Sequence, residues 1–189
     1  MRTPFTTIAY VSWLALLLVW LPGYFRSEGN FRAPKLRLQI PISALLIVGF
    51  VFLLNPAVRG LAISITPQTL LCGMTGVVLD LAGVLFAAWA RFTLGRNWSG
   101  LVMGVKERHE LVQTGPYAIV RHPIYAGLLL AAAGTALTLG TLSNYIGLAV
   151  IATALAIRVS LEEELMNKEF REIHESYRRR TKKLIPFVW

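Results

Sequence analysis

The sequence predicts an all-α protein, an integral membrane helical bundle with about five transmembrane helices. Of the 189 residues, 55% are hydrophobic and only 15% are charged, whereas soluble domains carry about 25% charged residues. The mean hydropathy is correspondingly high, at +0.57. A chain of this length suits a single domain.

Five apolar runs are each long enough to cross a bilayer, which takes roughly 17 to 25 helical residues. They cover residues 6–25, 40–58, 68–90, 124–140 and 143–161. The first begins like a signal peptide but lacks a convincing small-residue cleavage site, so we interpret it as a retained span. The second is the weakest, because Asn55 and Pro56 interrupt it. A short turn at Thr141 predicts a tight hairpin of the last two helices.

The basic residues are divided very unevenly between the two sides that these spans define. Seventeen of the 19 Lys and Arg residues lie near 26–39, in 91–123 or from Arg158 onwards, and only Arg2 and Arg59 lie on the other side. The positive-inside rule therefore puts the N-terminus outside and the C-terminus in the cytoplasm, in the inner membrane if the cell is prokaryotic. The net charge of +9 fits a basic face against anionic lipid, with no nucleic acid partner.

Two parts of the chain are expected from this pattern. Residues 1–67 hold the first two helices, and residues 68–189 form a core with a cytoplasmic loop at 91–123 and a tail at 162–189. The third and fourth spans carry small residues at the spacing that lets helix backbones pack closely in membranes. These are Gly73, Gly76, Gly83, Gly127, Ala131 and Gly134.

Asp80 differs from these small packing residues, because it is an acidic residue in the middle of a predicted span. A charge at the bilayer centre costs several kcal/mol, on the order of 3 or more. We therefore expect Asp80 to be neutral or hydrogen-bonded and to face the helix bundle.

Polar and aromatic residues are concentrated on the predicted cytoplasmic side, in three pieces. The first begins at His109 and reaches Tyr117, the second runs from Arg121 to Tyr125, and the third runs from Arg158 to Tyr177. Pro123 suits the first turn of a helix, whose free amides could receive a carboxylate or another anion. Because unpaired polar groups are expensive beside hydrocarbon, the cluster indicates a site built at the membrane surface.

The third piece has a helical periodicity. At 100° per residue, one face would carry Arg158, Glu162, Leu165, Glu169 and Glu172. An exposed pair of Arg158 with Glu162 would be worth only about 0.3 kcal/mol, which is little reason to embed an arginine in a span. Two simpler interpretations stay open, namely an arginine that snorkels to the interface and a solvated helix extension.

Several kinds of site are excluded by spacing. The three histidines lie in separate segments without the spacing of metal ligands, so we predict no metal site. The single Cys72 excludes an intramolecular disulfide. The chain has no nucleophile elbow and no glycine-rich phosphate or dinucleotide loop. A cofactor would therefore need a membrane-embedded pocket of another design.

Two stretches resemble the isoprenylcysteine carboxyl methyltransferase family, including its smaller prokaryotic members. The first runs from His109 to Gly127, and the second runs from Arg158 to Tyr177 and is followed by Ile185-Pro186-Phe187. They occur in the family's order, separated by one helical hairpin. The resemblance covers roughly residues 92–187, about half of the chain.

The resemblance implies a transmembrane bundle whose C-terminal half encloses S-adenosyl-L-methionine. By position, the cofactor pocket would be lined by His109, Glu110, Leu111, Val112, Tyr117, His122, Pro123, Ile124, Tyr125 and Glu162. Arg158 would meet the methyl-accepting substrate, and Glu163 is the other acid expected to be critical for function. Two positions depart from the family's pattern: His174 stands where the family usually has Tyr, and Arg171 where it often has Gly.

The function implied is methyl transfer to a lipophilic or prenylcysteine-like acceptor that enters from the bilayer. A carboxylate acceptor is already nucleophilic and needs a cation such as Arg158 to hold it in line. An amine acceptor would instead need a base. The alternatives are a phospholipid N-methyltransferase, an NADPH-dependent membrane reductase, and a non-enzymatic scaffold. The residues leave the oligomeric state and the acceptor open.

Overall fold

The fold is a bundle of five apolar helices. The computed structural model describes residues 3–25, 31–32, 36–98, 105–106 and 111–186. The helices are α1 (Thr3–Phe25), α2 (Leu36–Leu54), α3 (Leu70–Leu94), α4 (Pro123–Leu139) and α5 (Leu142–Arg180). Short 3-10 turns cover Gly95–Asn97 and Gly115–Ala118, and a two-residue antiparallel pair joins β1 (Phe31–Arg32) to β2 (Val105–Lys106). The predicted all-α class is confirmed.

The helices have the dimensions of a multi-pass integral membrane protein. By length and composition, α1, α2, α3 and α5 could each cross a membrane, while α4 is a shorter apolar helix of 17 residues. That length is at the lower end of what a span requires, roughly 17 residues. The five predicted spans thus correspond to the five helices.

The predicted end of the second span was wrong. The second span was expected to reach residue 58, but α2 ends at Leu54. A residue before proline is disfavoured in the α conformation, and the Asn55 side chain accepts a hydrogen bond from the Ala57 amide at 3.0 Å, which forms a turn. The fifth span, predicted at 143–161, lies within the longer helix α5, which continues to Arg180 across a kink at Arg171. The kink breaks the predicted helical face before Glu172.

Close backbone packing joins α3 to α4, as the small residues predicted. A Cβ atom on Gly127 would lie 2.6 Å from the carbonyl oxygen of Gly83 and 2.7 Å from the amide nitrogen of Ala87. Real Cβ atoms do not approach backbone so closely, so only glycine fits there. The fourth helix is thereby fixed against the third, and its N-terminus is held in place.

The two N-terminal helices pack directly on this core. Asn144 of α5 donates a hydrogen bond to the carbonyl oxygen of Leu53 at 2.7 Å, and Ser143 donates to that of Phe52 at 3.0 Å. These bonds satisfy two of the carbonyls that the C-terminus of α2 leaves without helical partners. The division of the chain at residue 67 stays a prediction.

Asp80 is fully buried between α1, α3 and α4. Ser12 donates a hydrogen bond to its Oδ2 atom at 2.5 Å, and Thr135 donates to its Oδ1 atom at 3.0 Å. The prediction of a hydrogen-bonded packing residue that faces the bundle is confirmed.

Candidate active site

A cavity of about 680 Å³ lies between α1, α2, α4 and α5. This volume falls within the usual range for small-molecule and cofactor sites, roughly 300–1,000 Å³. One end is polar and is formed by the start of α4 and the middle of α5. The other end is apolar and includes Trp13, Phe50 and Ile151.

Glu162 accepts hydrogen bonds from two side chains at the polar end. The Tyr125 hydroxyl donates to its Oε1 atom at 2.6 Å, and Arg158 Nε lies 3.1 Å from the same oxygen. Arg158 Nε also donates to the Tyr125 hydroxyl at 2.7 Å. His122 Nδ1 lies 3.5 Å from the other carboxylate oxygen. The four side chains therefore form one connected network that joins α4 to α5.

Glu163, the neighbouring acid, faces a different set of partners. Arg121 donates to its two oxygens from Nε at 2.8 Å and from Nη2 at 2.9 Å, and His122 Nε2 lies 3.0 Å from Oε1. A bidentate Arg–carboxylate pair is among the strongest and most directional ion pairs in proteins. Because both partners are buried, Glu163 fixes the chain just before α4 onto α5.

The C-terminal tail holds the same segment from the other side. The backbone amides of Arg121 and His122 donate to the carbonyl oxygens of Lys182 and Lys183 at 2.8 Å and 3.0 Å. Pro123, with no amide hydrogen to lose, then starts α4. Arg121 and His122 can therefore both face Glu163, although they lie before the helix.

The kink in α5 folds the end of that helix back over the polar site. In a straight helix, Glu163 and His174 are eleven residues apart and would be separated by about 16 Å along the axis. Instead His174 Nε2 lies 3.7 Å from Glu163 Oε1, and the Tyr177 hydroxyl donates to the Tyr117 carbonyl. Arg171, at φ 35° and ψ −109°, makes this reversal.

The charges of the site stabilise the protonated form of His122. Burial alone lowers the pKa of the imidazole, but hydrogen bonds and charges from Glu162 and Glu163 outweigh it and raise the pKa above its ordinary value of 6.5. Burial also raises the pKa of the Tyr117 hydroxyl, which therefore stays neutral near physiological pH.

Most of the residues predicted for the site meet in this cavity. It is lined by Leu111, Val112, Tyr117, His122, Ile124, Tyr125, Arg158, Glu162 and Glu163. Pro123 is buried at the first position of α4 and is not among the lining side chains. His109 and Glu110 lie outside the described residues.

Sequence reasoning missed two groups of lining residues. One is at the polar end: Arg121, Met166, His174 and Tyr177 lie within the predicted polar stretches but were not assigned to the pocket, and Trp98 was not predicted at all. The other is the wall contributed by α1 and α2. A signal was present for the second group, because Trp13 and Trp20 are seven residues apart and so lie on one face of α1.

The chain is similar in sequence to several known proteins. The chain is 31% identical over 115 residues to protein-S-isoprenylcysteine O-methyltransferase B of Arabidopsis thaliana, which covers 60% of the chain and 58% of that protein. It is 34% identical to the protein-S-isoprenylcysteine O-methyltransferase of Saccharomyces cerevisiae, covering 64% of the chain and 51% of that protein. The nickel-cobalt-cadmium resistance protein NccN of Alcaligenes xylosoxydans xylosoxydans is also 34% identical, with coverages of 50% and 44%.

The two methyltransferases confirm the resemblance to the isoprenylcysteine carboxyl methyltransferase family. The chain spans only about half the length of the three relatives. The phospholipid methyltransferase family model matches residues 71–173. That match covers more than half of the chain, from the start of α3 past the kink in α5. The chain therefore belongs to the phospholipid methyltransferase family.

Proposed function

We propose that this protein is a membrane methyltransferase that transfers a methyl group from S-adenosyl-L-methionine to the carboxylate of a lipophilic, prenylcysteine-like acceptor. One observation carries the proposal: a single cavity joins a charged end to an apolar end, and Arg158 lies where the two meet. The names of the Arabidopsis and yeast relatives point to the same reaction.

The polar end suits the proposed cofactor. S-adenosyl-L-methionine supplies a methyl group that is already activated by a positively charged sulfur, so the protein needs to bind, orient and exclude water. Glu162 and the Tyr125 ring would favour that positive charge. Leu111, Val112 and Tyr117, also in the lining, offer apolar and aromatic surface for a nucleobase.

Arg158 is suited to the carboxylate of the acceptor. Its side chain is only 7% exposed, and it follows Leu155 of the apolar wall by one turn of α5. Its Nε atom is held by Tyr125 and Glu162, which fixes the plane of the guanidinium group. A fixed planar cation can orient a carboxylate, and a carboxylate needs no base to attack a methyl group.

The apolar end would receive the lipophilic part of the acceptor. Its wall includes Leu46 and Phe50 of α2 and Leu128 of α4. Burial of a hydrocarbon chain there is favourable by about 0.8 kcal/mol per CH₂ group. The first two helices, which the resemblance leaves without a role, would thus form the acceptor channel.

The alternative reactions fit the geometry less well. NADPH carries several phosphate charges and would need several basic residues in its pocket, but Arg121 and Arg158 are the only Lys or Arg residues among the described residues that line the cavity. Phospholipid N-methylation would need a base beside the acceptor nitrogen. Glu162 is the candidate base, but it accepts hydrogen bonds from Tyr125 and Arg158, which weakens it.

Ligand titration and a transfer assay test the proposal on the detergent-purified full chain. We expect S-adenosylhomocysteine to bind saturably in calorimetry and NADPH not to bind. With tritiated S-adenosyl-L-methionine, label should enter an S-prenylated thiopropionic acid as a base-labile ester. Binding of NADPH alone would assign the protein to the reductases, and label in phosphatidylethanolamine alone would favour N-methylation.

Substitution of Arg158 tests its role in that assay. Arg158→Ala should lower the rate of transfer by about 100-fold, as the loss of one oriented electrostatic contact does in other enzymes. Its affinity for S-adenosylhomocysteine should stay within about threefold, since Glu162 keeps its bond from Tyr125. Arg179→Ala, at a position 77% exposed, is the matched control. Full activity of Arg158→Ala would exclude the proposed carboxylate contact.

A further inference from the structure

We infer that Trp13 forms the floor of the apolar end of the cavity and limits the length of the chain that an acceptor can place there. The inference rests on the proposed function, because it takes the apolar end to hold the lipophilic part of the acceptor. It also gives a role to the buried polar residues around Asp80, which methyl transfer does not use.

Trp13 is at the far end of the cavity from the charged site. Along α1, Trp20 packs near Trp98 at the polar end, with ring centroids 6.1 Å apart. Trp13 lies two turns away and meets Phe50 of α2 edge-to-face, with centroids 5.0 Å apart and an interplanar angle of 80°. It is only 6% exposed. The indole and the Phe50 ring together therefore close this end.

A chain of buried hydrogen bonds fixes the orientation of the indole. Trp13 Nε1 donates to Thr135 Oγ1 at 2.9 Å, and Thr135 donates in turn to Asp80 Oδ1 at 3.0 Å. Ser12, next to Trp13 in α1, donates to the other oxygen of Asp80. In hydrocarbon such a network is costly to break. The Trp13 indole is thus held by residues of three helices, and rotating it out of the cavity would cost these hydrogen bonds.

The position of the floor sets the depth available to an acceptor. On α5, the part of the lining between the floor and the proposed carboxylate site runs from Ile151 to Arg158, seven residues apart or about 10 Å along the helix. A chain anchored by its carboxylate at Arg158 meets the floor at about that distance. A longer chain must bend or leave between the helices into lipid. We therefore expect a preference for geranyl over geranylgeranyl acceptors.

The test compares kcat/KM for S-geranyl, S-farnesyl and S-geranylgeranyl thiopropionic acids. In Trp13→Ala the kcat/KM for the geranylgeranyl acceptor, relative to that for the geranyl acceptor, should rise about tenfold or more. Filling or opening a hydrophobic pocket changes such ratios by roughly 10- to 200-fold. Phe92→Ala is the control, because Phe92 is 67% exposed and lines no part of the cavity. Its ratio should equal that of the wild type.

Two further variants test how the floor is held. Thr135→Val removes the hydrogen bond to Trp13 but keeps the shape of the side chain, so it should shift the ratio in the same direction. Thr135→Ser keeps the hydroxyl group, so its kcat/KM ratio should be that of the wild type. If Trp13→Ala does not fold, Trp13→Phe replaces it, with a smaller shift of the same sign expected.

The outcomes separate the inference from the proposed function. A wild-type enzyme that methylates these acceptors, with Trp13 variants that keep its chain-length profile, overturns the floor and leaves the function intact. A folded wild-type protein that binds S-adenosylhomocysteine but methylates none of the three acids overturns the proposed acceptor and the inference with it. A shifted profile in the Trp13 and Thr135→Val variants, but not in Phe92→Ala, supports both.

Discussion

At the scale of single residues, His122 links the two acids of the site. Its two ring nitrogens face different carboxylates, with Nε2 3.0 Å from Glu163 and Nδ1 3.5 Å from Glu162, and the ring stacks on Tyr125 at 5.9 Å between centroids. A protonated imidazole can donate to both acids, whereas a neutral one can donate to only one. The charge of His122 therefore helps to hold α4 against α5.

The raised pKa of His122 makes stability depend on pH. Because the pKa is higher in the folded protein than its ordinary value of 6.5, this contribution is complete below about pH 6.5 and is lost as the pH rises through the folded value. We expect the melting temperature in detergent to fall by a few degrees across this range. Thermal unfolding followed by circular dichroism between mildly acidic and alkaline pH measures it.

His122→Gln is the reference for that experiment. Glutamine keeps a hydrogen-bond donor but does not titrate, so the variant should be less stable at mildly acidic pH and should lose the alkaline decline. If the melting temperatures of the two proteins fell in parallel as the pH rises, His122 would not be the group responsible for the loss of stability.

At the scale of elements, the kink in α5 decides whether the site closes. Without it the helix would carry His174 and Tyr177 away from the cavity, and Glu163 would lose His174 as a neighbour. The break depends on Arg171, the one non-glycine residue with positive φ in the described part of the chain. Conformations of this kind cost a residue with a Cβ about 1–3 kcal/mol. Such a conformation would account for the glycine that the resemblance implies at this position.

Arg171→Gly should therefore stabilise the protein by about 1 kcal/mol, since glycine relieves the strain but gains freedom in the unfolded chain. Thermal or denaturant unfolding of the detergent-solubilised variant measures the change. Arg171→Ala removes the same side chain but keeps the Cβ atom, so it should give no gain. Glu172→Gly, one residue on and also exposed, should cost about 1 kcal/mol. Equal effects at 171 and 172 would argue against a strained kink.

At the scale of the whole molecule, the sequence predicts those features that depend on neighbouring residues along the chain. The lengths of the apolar runs predicted the five helices, but α2 ends before Pro56, earlier than hydropathy indicated. The polar cluster was predicted because Tyr125, Arg158 and Glu162 are unusual beside apolar runs. The reversal at Arg171 was not predicted, because an arginine does not indicate a positive φ, and the only signal was the glycine that the resemblance implies at this position. The cavity wall of α1 and α2 depends on packing between distant segments, which periodicity alone does not specify.

The arrangement of the whole molecule in the membrane can be tested from its two ends. The segment between α2 and α3 pairs with the turn before α5, where the Ile65 amide donates to the Gly140 carbonyl at 2.8 Å. The charged site and the C-terminal tail lie at the opposite end of the bundle. Because basic residues are concentrated at that end, the positive-inside rule predicts that it faces the cytoplasm.

Single cysteines at the two ends measure this orientation. In a Cys72→Ser background, Arg59→Cys should react with a membrane-impermeant maleimide in intact cells, because it is exposed in the α2–α3 segment. Arg179→Cys, at a position 77% exposed at the other end, should react only after permeabilisation. Both variants make the same chemical change, so a difference in labelling reports the side of the membrane. The reverse pattern would place the site outside, where cytosolic S-adenosyl-L-methionine could not reach it, and would contradict the proposed reaction as well as the orientation.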